Sequence, residues 1–136
     1  MARVLLLLLA VLSLGLAQTL VPQGRLQGPV GVLKVVDGDT VDLEGLGRVR
    51  LIGIDAPESR MNHRASGPEE LRQGRMAKDY LYRLLGGRPV WVELDVQERD
   101  RYRRVLAYLY VEDPRGDWAY GGRRFLQVNL EMVRAG

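Results

Sequence analysis

The chain contains no cysteine among its 136 residues. No disulfide can staple it, so the folded state must rest on an apolar core or a bound ion. A lipid-modified lipoprotein, anchored through a cysteine thiol, is excluded as well. Histidine is almost absent: His63 is the only one. It lies in a polar stretch, where such a residue ordinarily faces solvent, and it is assigned no role. Internal repeats and low-complexity segments are missing too. The excess of positive charge is small, with 20 Lys+Arg against 17 Asp+Glu and a net charge of +3. That is too little to indicate a polyanionic partner by itself.

Lysine is scarce within the basic set: 18 of the 20 are arginine. The guanidinium offers a planar fork of donors that matches phosphate. A GC-rich genome or a thermophilic host also enriches arginine, so its distribution is the better clue. Arg99, Arg101, Arg103 and Arg104 fall within six residues, opposed only by Asp100.

The one long apolar run stands at the start. Arg3 and the amino terminus form a short positive region, Val4 to Leu14 is apolar, and Gly15-Leu16-Ala17 places small residues where a signal peptidase reads. A signal peptide over residues 1–17 is expected, cleaved after Ala17 to leave 119 residues with a net charge of +2. The alternative is a retained anchor, but the run is shorter than the ~20 apolar residues of a membrane span. Export places the mature chain outside the cell or in the periplasm or cell envelope.

Gln18 to Pro29 has two prolines, two glycines and no clear period, and reads as a linker or arm ahead of a domain over residues 30–136. Val30–Val36 is rich in β-branched residues and predicts a strand. Asp37-Gly38-Asp39 is a turn signal, and Thr40–Glu44 alternates apolar and polar as a half-buried strand does. Gly45-Leu46-Gly47 turns the chain into a third strand, Arg48–Asp55. Ala56 to Gly67 is a polar loop. Ser66, Pro68, Glu69 and Glu70 mark a helix start, Leu71, Ala77, Leu81, Leu84 and Leu85 recur at helical spacing, and Gly86-Gly87 ends it. Strands are predicted over Pro89–Leu94, Val105–Val111 and Arg124–Val128, with a charged loop over Asp95–Arg104. Asn129 is placed as the cap of a last helix starting at Leu130. Tyr108 and Tyr110 read as packing residues on one strand face. The order implies an α+β domain, a small closed or nearly closed barrel with a helix packed on it.

A turn centred on Leu46 sets residues whose numbers average about 46 to 47 opposite one another. Asp39 and Asp55 satisfy this, so both carboxylates are expected at one sheet edge. Two adjacent carboxylates repel unless a cation lies between them, and oxygen ligands select Ca²⁺ or Mg²⁺. Each acid alone reads better as a turn residue; together, at matched positions, they favour the cation. Arg50 adjoins the apolar run Leu51–Ile54 and so needs a partner or a function. Five residues separate it from Asp55, so a shared site needs a bend, for which Gly53 is the natural place. Without one, Arg50 pairs with Asp42 or Glu44.

Four blocks now stand in order: V-V-D-G-D-T-V, V-R-L-I-G-I-D-A-P-E, D-R-Y-R-R-V-L-A-Y and V-N-L-E-M-V-R-A-G. Together they resemble the staphylococcal nuclease (thermonuclease-like) family, in the family's order and spacing, from Val30 to Gly136. The resemblance implies a five-stranded OB-like barrel with helices that hydrolyses the phosphodiesters of DNA and RNA with little sequence preference, using Ca²⁺, and acts as a monomer. It places the calcium carboxylates on Asp39 and Asp55 and a main-chain carbonyl ligand on Ala56, where the family's threonine contributes only its backbone. It implies Arg50 and Arg104 as catalytic arginines, Glu58 as the catalytic glutamate and Tyr102 in the nucleotide pocket. Arg101 and Arg103, in the arginine cluster beside it, are expected as further substrate contacts on their charge and not on the resemblance. Two features depart from the pattern. Arg103 stands where the family usually has glycine. The family also continues past the position of Gly136 into another helical stretch, so the sequence reads as a fragment or a minimal branch. Two rival readings keep the fold: a non-catalytic OB-like module binding nucleic acid through Arg99–Arg104 and aromatic faces, and an exported structural domain whose acids and arginines are ion pairs. Glu58 favours the nuclease, because a pure binder has no use for it.

Overall fold

The computed structural model describes residues 19–53 and 67–136. Eight strands and two helices occur among them: β1 (Gln27–Val30), β2 (Val32–Asp37), β3 (Thr40–Leu43), β4 (Gly47–Leu51), α1 (Pro68–Leu85), β5 (Val90–Arg99), β6 (Val105–Glu112), β7 (Trp118–Tyr120), β8 (Arg123–Gln127) and α2 (Val128–Ala135). The expected leader, residues 1–17, and the loop bearing His63 lie outside the described residues. No helix of the described residues is long and apolar enough to cross a membrane.

The sheet runs β1-β5-β6-β4-β3-β2, with β8 joining β6 and β7 joining β8. All pairs are antiparallel except β4–β6. β1 and β2 stand at opposite ends of this path yet are joined through the single residue Gly31. The sheet must therefore curl until its ends meet, giving a barrel that closes through the chain and not through a hydrogen-bonded ladder. The expected α+β class holds. Eight strands occur among the described residues, against six read from the residues and five implied by the resemblance; the short edge segments β1 and β7 carry too little periodicity to stand out. Part of the stretch read as an arm is built in: Leu26 is buried, β1 pairs with β5, and Leu20 bridges to Trp118.

Inward residues alternate along each strand, Val41 and Leu43, Val49 and Leu51, Val105, Ala107, Leu109 and Val111, and all are buried. α1 covers this core with Leu81 and Leu85, buries Leu71 as well, and packs on β2 and α2. Each fully buried leucine contributes about 1.5–3 kcal/mol. Pro68 opens α1 and Gly86, in the left-handed region at φ 58°, closes it. A second cluster forms outside the barrel from Leu26, Tyr110 and Phe125 with Trp91 and Trp118. There the buried Tyr110 hydroxyl donates to Glu93 at 2.7 Å and accepts from Gln127 at 3.0 Å. Burial, with the Glu93 bond, pushes that phenol above its ordinary range.

Candidate active site

The β3–β4 hairpin differs in register from the expectation. Thr40 faces Arg50, Val41 faces Val49, Asp42 faces Arg48 and Leu43 faces Gly47, so paired numbers average 45. The three-residue loop Glu44-Gly45-Leu46 closes on the Leu43–Gly47 pair, with Gly45 at φ 79°, and this centres the turn one residue earlier than Leu46. Asp39 therefore lies opposite Leu51, whose N–H donates to the Asp39 carbonyl at 2.8 Å. The ladder ends at Leu51, and Gly53, at φ 79°, departs from extended backbone where a bend was expected. Asp55, Ala56 and Glu58 lie outside the described residues.

Arg50 reaches Asp39 and neither Asp42 nor Glu44. Its Nη1 donates to Asp39 Oδ2 at 2.7 Å. Asp42 is taken instead by Arg48, directly opposite, at 2.9 Å. The Asp39 side chain is 7 % exposed and that of Arg50 26 %. Such a pair is costly to break from one side, about 3–5 kcal/mol, because the other charge stays desolvated. Thr40, itself buried, donates its hydroxyl to Asp39 Oδ1 at 2.7 Å. The carboxylate is thus aimed by two neighbours at the β2–β3 turn.

Arg104 comes to the same face by a different route. In the parallel β4–β6 pair Arg50 lies beside Leu106. Arg104 is two residues before Leu106 and so shares its face, with Val105 turned into the core. One strand spacing and two residue steps separate the two arginines, roughly 8 Å between Cα atoms. Two guanidiniums at that spacing can converge on one phosphate.

The loop before Arg104 is a three-residue hairpin, Arg101-Tyr102-Arg103, joining β5 to β6. The Asp100 N–H donates to the Arg104 carbonyl at 3.0 Å and the Arg103 N–H to the Asp100 carbonyl at 3.0 Å. Asp100 Oδ1 accepts the N–H groups of Tyr102 and Arg104, both at 2.9 Å, and Oδ2 accepts Arg104 Nε at 2.8 Å. Burial would raise this carboxyl, but those three donors together hold it below its ordinary value. Because Asp100 engages Nε, both Arg104 Nη groups are without a partner among the described residues. Arg103 takes φ 64°, the left-handed position that ends this hairpin type. Its backbone therefore holds the shape that glycine adopts without strain, and its side chain is exposed. The exposed Tyr102 ring lies 5.3 Å from the Arg104 guanidinium and 4.9 Å from that of Arg101, which also donates to the Tyr102 hydroxyl at 2.8 Å. The predicted charged loop Asp95–Arg104 shrinks accordingly, since β5 runs on to Arg99.

Two groups thus stand on neighbouring strands: Arg50 bonded to Asp39, and Arg104 bonded to Asp100 and lying against Tyr102, with Arg101 on the same ring and Arg103 exposed in the same hairpin. Sequence reasoning missed Thr40 and Asp100. An aspartate opening a short arginine-rich hairpin is the signal that marks Asp100. Among the described residues no three His, Cys, Asp or Glu groups cluster to hold a metal ion. Asp39 suits one ligand of a hard cation: it is a buried carboxylate at a sheet edge, oriented by Thr40.

Fold and face define the class, an α+β barrel of OB type whose outer surface gathers an acid, two arginines and an exposed tyrosine. A family profile described as staphylococcal nuclease homologue matches residues 48–136, and the chain belongs to that family. Its relatives include a thermonuclease of Staphylococcus hyicus, 37 % identical over 83 residues, covering 59 % of this chain and 47 % of that protein. A second is an uncharacterized endonuclease of Escherichia coli, 34 % identical over 108 residues, covering 77 % of this chain and 56 % of that protein. A third is a thermonuclease of Staphylococcus intermedius, 35 % identical over 85 residues, covering 60 % and 48 %. The chain spans about half the length of the curated relatives it matches.

Proposed function

We propose that this chain is a calcium-dependent nuclease, exported and acting as a monomer, that hydrolyses the phosphodiesters of DNA and RNA with little sequence preference. The observation that carries the reading is the shared face of Arg50, bonded to buried Asp39, and Arg104, bonded to Asp100 through Nε. Relatives named thermonuclease and endonuclease support it.

Asp39, Asp55 and the carbonyl of Ala56 are the residues that would hold calcium; Asp39 fits, and the other two lie outside the described residues. Bound there, the ion would supply Lewis-acid polarisation of a phosphate oxygen. The chain's own groups do the rest. Attack on phosphorus builds negative charge on the free oxygens. Arg50 and Arg104 each present donors to that charge at fixed spacing, and donors aimed in advance favour the transition state over the ground state. Asp100 holds Arg104 in place before substrate arrives. Tyr102, exposed beside Arg104, lines the nucleotide pocket, and Arg101 and Arg103 reach further phosphates. Glu58 orients the attacking water and takes its proton.

The test is plasmid DNA, and then RNA, incubated with the protein in millimolar calcium with and without chelator. Cleavage that chelation abolishes is expected. Glu58→Gln should lower the rate by about 10²–10⁴-fold and leave DNA binding unchanged. Cleavage that survives chelation, or an unaltered Glu58→Gln rate, overturns the assignment. Folded protein that binds without cleaving would instead be the non-catalytic module, working through Arg99–Arg104.

A further inference from the structure

We infer that Asn129, expected as a helix cap, is a positioning residue that fixes the end of β4 and through it the aim of Arg50. This rests on the nuclease reading. Asn129 lies within α2 at 3 % exposure and makes no cap. Its Oδ1 accepts the Leu109 N–H at 2.9 Å, and its Nδ2 donates to the carbonyls of Ile52 at 2.9 Å and Ala107 at 3.1 Å.

The topology explains the need. β6 pairs along one edge first with β4, as far as Leu51–Ala107, and then with β8, from Tyr110–Gln127 onward. Between these pairings the Leu109 N–H points at neither strand, and the Ile52 carbonyl has left the ladder. Buried backbone groups left unpaired are destabilising. One carboxamide supplies the acceptor and both donors that the gap requires. Aspartate lacks the donors, and serine has only one.

The same clamp bears on chemistry. On its other side, the segment is held by the Leu51 N–H bond to the Asp39 carbonyl, while the Ile52 N–H donates to Ala107 at 3.1 Å. Residues 50–52 are therefore gripped between Asp39 and the Ala107–Asn129 pair. Arg50 stands two residues from the carbonyl that Asn129 holds, and its bond to Asp39 depends on where that backbone sits. Among the described residues Asn129 bonds none of the site residues and acts through the backbone of Ile52, Ala107 and Leu109.

The experiment compares Asn129→Asp, Asn129→Ser and Val128→Ala with the full-length parent, each at a temperature where circular dichroism shows it folded. Val128 is fully buried next door and makes no such bonds, so its variant controls for lost stability. Two quantities are read: kcat and KM on DNA with calcium, and the Arg50 Nε–H NMR resonance without substrate. Both Asn129 variants should lose about 10²-fold in kcat, as expected for a small misplacement of a catalytic group, with KM little changed. The Arg50 resonance should shift or broaden in them and not in Val128→Ala. Asn129 variants that keep the parental kcat and resonance, or a Val128→Ala that loses as much, would overturn the inference. A parent that does not cleave defeats the nuclease reading alone, because the Arg50 resonance still reports whether Asn129 positions it.

Discussion

Asp100 shows how one carboxylate can serve both a loop and a neighbouring guanidinium. Its Oδ1 gathers two backbone N–H groups while Oδ2 holds Arg104 Nε. Replacing it with asparagine keeps an acceptor for the backbone and removes the charge-assisted bond to the guanidinium. Asp100→Asn is expected to lower kcat about 10–100-fold by loosening Arg104, while thermal unfolding shifts only slightly. Steady-state kinetics beside a melting curve checks this; a large loss of stability with unchanged kcat would assign Asp100 to the fold alone. The choice of partners at the neighbouring strand is equally local. Arg48 and Arg50 both face outward, and cross-strand position gives Asp42 to Arg48, leaving Arg50 for the turn aspartate.

At the scale of the element, the β5–β6 hairpin carries a conflict between stability and charge. A left-handed backbone costs a non-glycine residue roughly 1–2 kcal/mol, and Arg103 bears that cost at φ 64°. Arg103→Gly is expected to raise the melting temperature by a few degrees, the relief being partly offset by glycine's larger loss of freedom on folding. The same change should weaken DNA binding and reduce the slope of log affinity against log salt by about 1, the signature of one lost phosphate contact. A parallel salt titration of both proteins decides it: an unaltered slope removes Arg103 from the substrate path. The helices follow their punctuation more simply, with proline at the start of α1 and a left-handed glycine at its end.

At the scale of the whole molecule, acid stability depends on a distant carboxylate. Asp113, buried after β6, accepts from the Arg115 side chain and backbone and from Arg88. The Arg115 bonds, chiefly, hold its carboxyl at about 2, against an ordinary 3.8. A folded-state value below the unfolded one stabilises the protein above pH 3.8, and that contribution is lost as pH falls towards 2. Asp113→Asn should therefore be less stable than the parent at neutral pH, with the difference shrinking as pH falls through that window. Urea unfolding at pH 7 and at a series of acid values measures it, and a constant difference would rule the linkage out. Calcium should add to this stability by mass action if Asp39 ligates it, so a chelator-insensitive melting temperature would count against that role.

What could be read along the chain was what is local. Glycine and proline mark turns by their own backbone limits, alternation marks which strand residues face the core, and the four blocks carried the family, Asp39, Arg50, Tyr102 and Arg104 together. Sequence also pointed to Gly53 as the bend after β4. Tertiary structure alone decided the register centred on residue 45, the pairing of Arg50 with Asp39, the curl that joins β1 to β2 and the use of Asn129 as a clamp between strands. Each of these is a contest between alternative partners, some neighbours in one hairpin and others far apart in the chain. Its outcome depends on which buried polar group would otherwise be left unpaired, and that is known only once the strands are laid side by side.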